Sequence, residues 1–183
     1  MAARFENLSD KLIAFIEAQQ LYFVATACAE GRINLSPKGG DSLRVLSPTR
    51  LLWLNRTGSG NETAAHLRQT DRMTMMFCSF TEQPLILRCY GSANAIHRHD
   101  PLWAEYAHEL PSVLGERQLV LFDIDLVQTS CGFGVPFYEF QGERDNMSKW
   151  LSSKNEADIE QYWADKNQFS LDGLPTGILD KGE

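Results

Sequence analysis

Apolar positions near the start of the chain recur at helical spacing, with Leu8, Leu12, Phe15 and Ile16 on one face. Ser9 and Asp10 both suit an N-cap, so the pattern predicts an amphipathic helix ending near Gln20. The period then changes. LYFVATA (21–27), Arg32 to Leu35, RLLWLN (50–55), RMTMMFCSF (72–80), LILRCYGSANAIH (85–97) and RQLVLFDIDLVQTS (117–130) are short runs. They are rich in β-branched and aromatic residues and bounded by turn formers, which predicts six strands. Ala29 to Gly31 and Thr81 to Pro84 are of hairpin length, so the strands they join run antiparallel. A barrel or a sandwich is expected. Asp100 followed by Pro101 marks the start of a helix over DPLWAEYAHEL, and beyond Ser130 the pattern turns polar and helical.

No Pro/Gly/Ser-rich stretch divides the 183 residues, so a single domain over 1–183 is expected, its core at 20–130 and a helical C-terminal extension at 137–183. A net charge of -7 argues against a nucleic-acid surface, and any bound anion must be held locally. Charged residues interrupt the first twenty positions as no secretory leader would allow, and no apolar run approaches the roughly 20 residues of a membrane span. Cys28, Cys78, Cys89 and Cys131 show no CxxC spacing, which points to reduced thiols and a cytoplasmic location. His97 and His99 are too few ligands for a metal site, and no metal is expected.

The chemistry concentrates in NRTGSGNETAAHL (55–67), a glycine turn between a predicted strand and a short helix. It lacks the Lys-Ser/Thr pair of a triphosphate loop. It comes closer to a dinucleotide fingerprint, with Glu82 placed as a ribose-binding acid, but Thr63 stands where the third glycine belongs and the flanking strands look antiparallel. What such loops share is tight glycine turns and free N–H groups at a helix start, which favour an anionic oxygen. A plain turn capped by Asn61, without a ligand, is the competing reading. Leu35-Ser-Pro-Lys-Gly-Gly-Asp41 adds a hydroxyl and a cation, making Lys38 a charge partner for a phosphate or an electron-rich ring. Pro37 argues against an uninterrupted central strand there.

NLSPKGGDSLRV, WLNRTGSGNETAAHL, RMTMMFCSF with ILRCYGSA, TSCGFGVP and the terminal KNQFSLDGLP occur in that order along most of the chain. Together they resemble the flavin-binding split-barrel proteins related to pyridoxamine 5′-phosphate oxidase, more closely a set of relatives than the oxidase itself. The resemblance implies a mainly β fold: a six-stranded antiparallel split barrel with peripheral helices at the N-terminus, between strands and at the C-terminus. It also implies a homodimer with FMN in clefts at the interface. Carried over, Ser36 and Lys38 line the flavin or its phosphate, Asn55 closes the next strand, and Ser59, Gly60, Asn61, Glu62 and Thr63 form the loop around the phosphate. Glu62, itself anionic, is expected to stabilise the helix start rather than touch phosphate. The oxidase's Arg-x-Val-Leu-Leu-Lys strand is missing, its cations only partly reproduced by Lys38 and Arg44, and so is its C-terminal arginine segment. Flavin binding is expected; synthesis of pyridoxal phosphate is not.

The leading expectation is an FMN-dependent oxidoreductase acting on a small molecule, with deazaflavin as the alternative cofactor and no assignable catalytic acid or base. A non-catalytic flavin-binding or flavin-sensing protein is the second reading, and a Rossmann-type NAD(P) dehydrogenase the third. Arg72, Arg88 and Arg117 are expected to flank or edge strands, Trp53, Trp103, Trp150 and Trp163 to serve core or dimer contacts, and Cys131 to lie near the cleft.

Overall fold

The structure, a computed structural model, describes residues 2–180. Its strands are β1 (Ala3–Phe5), β2 (Leu21–Thr26), β3 (Asn34–Gly39), β4 (Leu43–Ser47), β5 (Arg50–Arg56), β6 (Arg72–Cys78), β7 (Ile86–His97) and β8 (Glu116–Ser130). They form one sheet in the order β3-β2-β6-β7-β8-β5-β4, and every neighbouring pair is antiparallel. The long β8 is the seam. One edge of it carries β7 over its length, while the other carries β5 over Glu116 to Asp123 and β1 over Val127 to Thr129.

Among the described residues the sheet thus has eight strands rather than six. β1 is three exposed residues and β4 is half-buried throughout, so neither carries the period-2 alternation that reveals a strand. The dinucleotide reading is overturned: β5 and β6, on either side of the glycine turn, are not neighbours, and no parallel pair exists among the described strands. Proline at position 37 interrupts nothing, because β3 is an edge strand with a single neighbour.

β5 is buried from Leu51 to Asn55 because both its faces are covered. Leu51 and Trp53 join the main core with Val24, Met75, Phe77 and Phe122, which α1 (Asp10–Glu17) closes with Leu12 and Ile16. Leu52 and Leu54 face the other way, beneath Trp103 and Tyr106 around α3 (Leu102–Tyr106) and Leu110 beyond it. The expected helix over DPLWAEYAHEL is only this short α3 and one 3-10 turn, Ala107–Glu109. Asp100 Oδ1 accepts the Leu102 N–H at 2.9 Å at its start.

Beyond β8 the chain bends at Gly132, whose φ is 69° and where a Cβ would come within 2.9 Å of the Leu85 nitrogen. The segment 131–145 has no helix; α4 (Asn146–Ser152) and α5 (Glu156–Lys166) follow it. Gly132, Gly134, Pro136 and Gly142 explain the delay. α5 starts in a full capping box between Asn155 and Asp158, and its Ile159 and Trp163 pack with Ile178, Trp150 and Tyr162 in a small separate core. Among the described residues no helix is long and apolar enough to cross a membrane.

Candidate anion-binding cleft

Between edge strand β3 and the end of β5 lies a cleft of about 440 Å³. Ser36 and Lys38 line it from β3, Asn55 and Arg56 from β5, Ser59 and Gly60 from the glycine turn. Arg117, at the start of β8, forms its back wall. Six of the eight residues expected at the site, Ser36, Lys38, Asn55, Ser59, Gly60 and Glu62, are therefore brought together.

Asn61 and Thr63 lie behind the surface. Asn61 is buried and donates through Nδ2 to the Asn167 carbonyl at 3.3 Å. Thr63 Oγ1 accepts from Asn34 Nδ2 at 3.1 Å; the same amide nitrogen reaches Thr26 Oγ1, which meets His66 Nδ1 at 3.0 Å. Ser36 Oγ donates to Asn34 Oδ1 at 2.9 Å, so these hydroxyls tie β3 and β2 to α2 (Glu62–Leu67). Both Glu62 carboxylate oxygens accept the Leu171 N–H at 3.0 Å, which docks the C-terminal tail on the turn.

Arg117 organises the turn from within. Its guanidinium donates to the Gly60 carbonyl at 2.9 Å, Asn167 Oδ1 at 2.8 Å and Asn55 Oδ1 at 3.2 Å. With the Gly58 carbonyl also turned inward, accepting from Asn167 Nδ2 at 3.0 Å, the loop is held by its oxygens. Among the described residues no protein acceptor meets the backbone N–H groups of Gly58, Ser59, Gly60 or Asn61. The six-residue α2 supplies little dipole, so positive potential here comes chiefly from side chains.

Those side chains form no ion pair among the described residues, although the Asp41 carboxylate lies near enough to Arg56 to feel its charge. Arg117 is 3% exposed, every acceptor it meets is neutral, and its Nε has no partner. Burial pushes its pKa down to about 10. Lys38 Nζ sits 4.8 Å from the Trp53 ring centroid, and burial followed by repulsion from Arg117 lowers it to about 8. Arg56 also faces the cleft with an unpartnered buried Nε. No carboxylate forms a salt bridge with any of the three among the described residues. A buried charge without a partner is costly, so this cluster is built for an anion that comes from outside.

Arg44, the other cation expected to serve phosphate, pairs instead with Asp41 and lines a different, larger depression of about 560 Å³ beside Glu17 and Glu143. Its carboxylates make that depression unsuited to an anion. His97 and His99 stack with centroids 5.3 Å apart, and no metal-ligating cluster is found among the described residues. Cys131 is exposed beyond the end of β8 and does not line the cleft.

Sequence reasoning missed Arg117 and Asn167. Arg117 was expected at a strand edge, and it is buried because the loop, β5 and the tail close over it. The available signal was an arginine beside Gln118 at the head of an otherwise apolar run. Asn167 stands in KNQFSLDGLP, a segment whose proximity only the folded chain reveals.

A family model described as pyridoxamine 5′-phosphate oxidase matches residues 8–131. The chain belongs to the pyridoxamine 5′-phosphate oxidase family. Within that family it is 38% identical over 200 residues to the family protein ustO of Aspergillus flavus, a match covering 98% of this chain and 80% of the relative. Among solved structures it is similar to HupZ from Group A Streptococcus, with a TM-score of 0.52 and 19% identity over 65% of this chain and 91% of the other. A Lactobacillus delbrueckii protein provisionally named as a pyridoxamine 5′-phosphate oxidase gives 0.53 and 19% over 67% and 94%. At these identities the two structures bear on the fold alone, which is the family's split barrel. The cleft from Ser36 to Arg117 lies inside the family match; Asn167, α4 and α5 lie outside it.

Proposed function

We propose that this chain is a flavin-dependent oxidoreductase that holds FMN by its phosphate in the cleft and acts on a small molecule. The observation that carries this reading is Arg117, a buried cation with no carboxylate partner, backed by Lys38 and Arg56 around the same space. The residues present fit a phosphate: unpartnered N–H groups on the turn, the Ser59 hydroxyl, and three cations that form no salt bridge among the described residues. When bound, the isoalloxazine supplies exchange of hydride or electrons with a substrate. Lys38, lying on Trp53, places a cation where it can stabilise negative charge on a ring.

A non-catalytic flavin carrier is the second reading, favoured by one observation. The only carboxylate among the described residues that line the cleft, Glu62, accepts the Leu171 N–H, which leaves no free carboxylate there. We further propose a cytoplasmic homodimer. Ile33, Leu35, Phe169 and Leu171, all at least 60% exposed, line one shallow depression suited to a second copy.

Purified protein is expected to bind FMN at least tenfold more tightly than riboflavin, and Lys38→Ala and Ser59→Ala to reduce that preference. Equal affinity for the two ligands would refute the phosphate placement, and failure to bind either would refute the flavin reading. A deazaflavin competitor distinguishes the alternative ring, and steady-state turnover with a reductant separates enzyme from carrier.

The pH dependence has a defined sign. The folded-state pKa of Lys38 lies at about 8, below its ordinary value of 10.5, so between these values the unfolded chain binds the extra proton. Ligand-free protein therefore gains stability from this group as pH rises through that window. FMN affinity runs the other way, starting to fall above about pH 8 as the ammonium of the free protein is lost and levelling off only above the higher pKa this group has beside bound phosphate. Titrations from pH 7 to 9, below the range in which Arg117 loses its own proton, are expected to show the fall in the parent and not in Lys38→Met.

A further inference from the structure

The C-terminal tail, 167–180, reaches the glycine turn from beyond the family match at 8–131, and it is pinned along its length. Glu62 accepts the Leu171 N–H, Asp172 Oδ2 accepts the Arg32 N–H at 2.7 Å, and Asp180 pairs with Arg68 at 2.6 Å. Asn167 heads this tail as the C-cap of α5 and is fully buried. Each of its polar groups is bonded. Its N–H donates to the Trp163 carbonyl at 2.9 Å, and its carbonyl accepts from Thr176 Oγ1 at 2.6 Å and Asn61 Nδ2 at 3.3 Å.

The side-chain amide bridges the buried cation and the turn. Oδ1 accepts from Arg117 at 2.8 Å while Nδ2 donates to the Gly58 carbonyl at 3.0 Å, and Arg117 itself takes the Gly60 carbonyl. In a planar trans peptide the carbonyl and the following N–H point in opposite directions. Drawing the Gly58 and Gly60 carbonyls inward therefore turns the Ser59 and Asn61 N–H groups away from the bridge. The neutrality of the amide matters as much as its reach. A carboxylate in its place would give Arg117 an internal counter-charge and set an oxygen, not a donor, against the Gly58 carbonyl.

We propose that Asn167 is a positioning residue of the anion site: it sets the Arg117 guanidinium and the Gly58 carbonyl in place without neutralising the cation, and so determines selectivity for a phosphorylated ligand over its unphosphorylated counterpart. The inference rests on the phosphate placement above. The barrel strand supplies the charge, and the tail supplies its orientation. The C-terminal tail is thereby a part of the binding site.

The test titrates the full-length protein and its Asn167→Asp variant with FMN, riboflavin and inorganic phosphate, followed by flavin fluorescence and calorimetry. Asn167→Asp is expected to bind FMN and phosphate about tenfold more weakly or worse, with riboflavin affinity changed less than about threefold. Its FMN affinity is also expected to begin falling at a higher pH than the parent's, because the new carboxylate offsets the repulsion that Arg117 exerts on Lys38. Asn167→Ala loses the bridge without adding a charge. It is expected to lose the same preference for FMN while keeping the parent's pH break, and it decides the matter if Asn167→Asp does not fold. Unchanged FMN affinity in the folded variants, or FMN and riboflavin weakened equally, would overturn the inference and leave Asn167 a purely structural residue. A parent protein that binds neither flavin removes the flavin reading, and the phosphate titrations alone then decide the role of Asn167. A parent that binds no phosphate either removes both.

Discussion

Arg117→Met is expected to bind FMN about a hundredfold more weakly than the parent chain, with riboflavin affinity changed less than about threefold. The contrast isolates charge, because the two ligands differ only in the phosphate. The buried guanidinium has neutral partners only, so an incoming anion is the first full counter-charge it meets. Stability of the ligand-free variant reflects two opposing effects. Removing the uncompensated charge is favourable, while Asn55 Oδ1, Asn167 Oδ1 and the Gly60 carbonyl lose their donor. A thermal unfolding scan alongside the titration establishes that the variant is folded. Repulsion from Arg117 also lowers the Lys38 pKa, so the alkaline break in FMN affinity is expected to move up in Arg117→Met. Undiminished FMN binding by folded Arg117→Met would remove this residue from the anion site.

Gly91→Ala is expected to destabilise the fold by about 3 kcal/mol or more, seen as a lowered urea midpoint. Gly91 lies at the register shift between β7 and β8, where the backbones come so close that a Cβ would stand 1.9 Å from the Asp123 carbonyl oxygen. Neither strand can move without disturbing the seam. β8 carries β7 on one edge and β5 and β1 on the other. Gly134→Ala, at a site with nothing within 4 Å, is expected to stay within about 0.5 kcal/mol of the parent. Equal midpoints for the two variants would show that β7 and β8 can separate at this point.

The strands with clear alternation or full apolar runs, β2, β5, β6, β7 and β8, were legible because burial on one face or both imposes a pattern on the residues themselves. β1 and β4 carry no such pattern; they exist because β8 and β5 leave edges to be paired. The Asn55 to Thr63 turn and the Lys38 segment were recognisable by their glycines, hydroxyls and cation. Their roles divided on folding. Lys38, Asn55, Ser59 and Gly60 face the cleft, whereas Asn61 and Thr63 hold the loop to its supports.

By itself the sequence determined an antiparallel β protein with a glycine turn set near a lysine, since periodicity and turn chemistry are local properties. The tertiary structure decided the sign and depth of the site. Arg117 lies 57 residues from Gly60, and Asn167 lies 50 from Arg117. Only packing brings such distant groups within hydrogen-bonding distance, and only burial turns an ordinary arginine into a charge that lacks a partner.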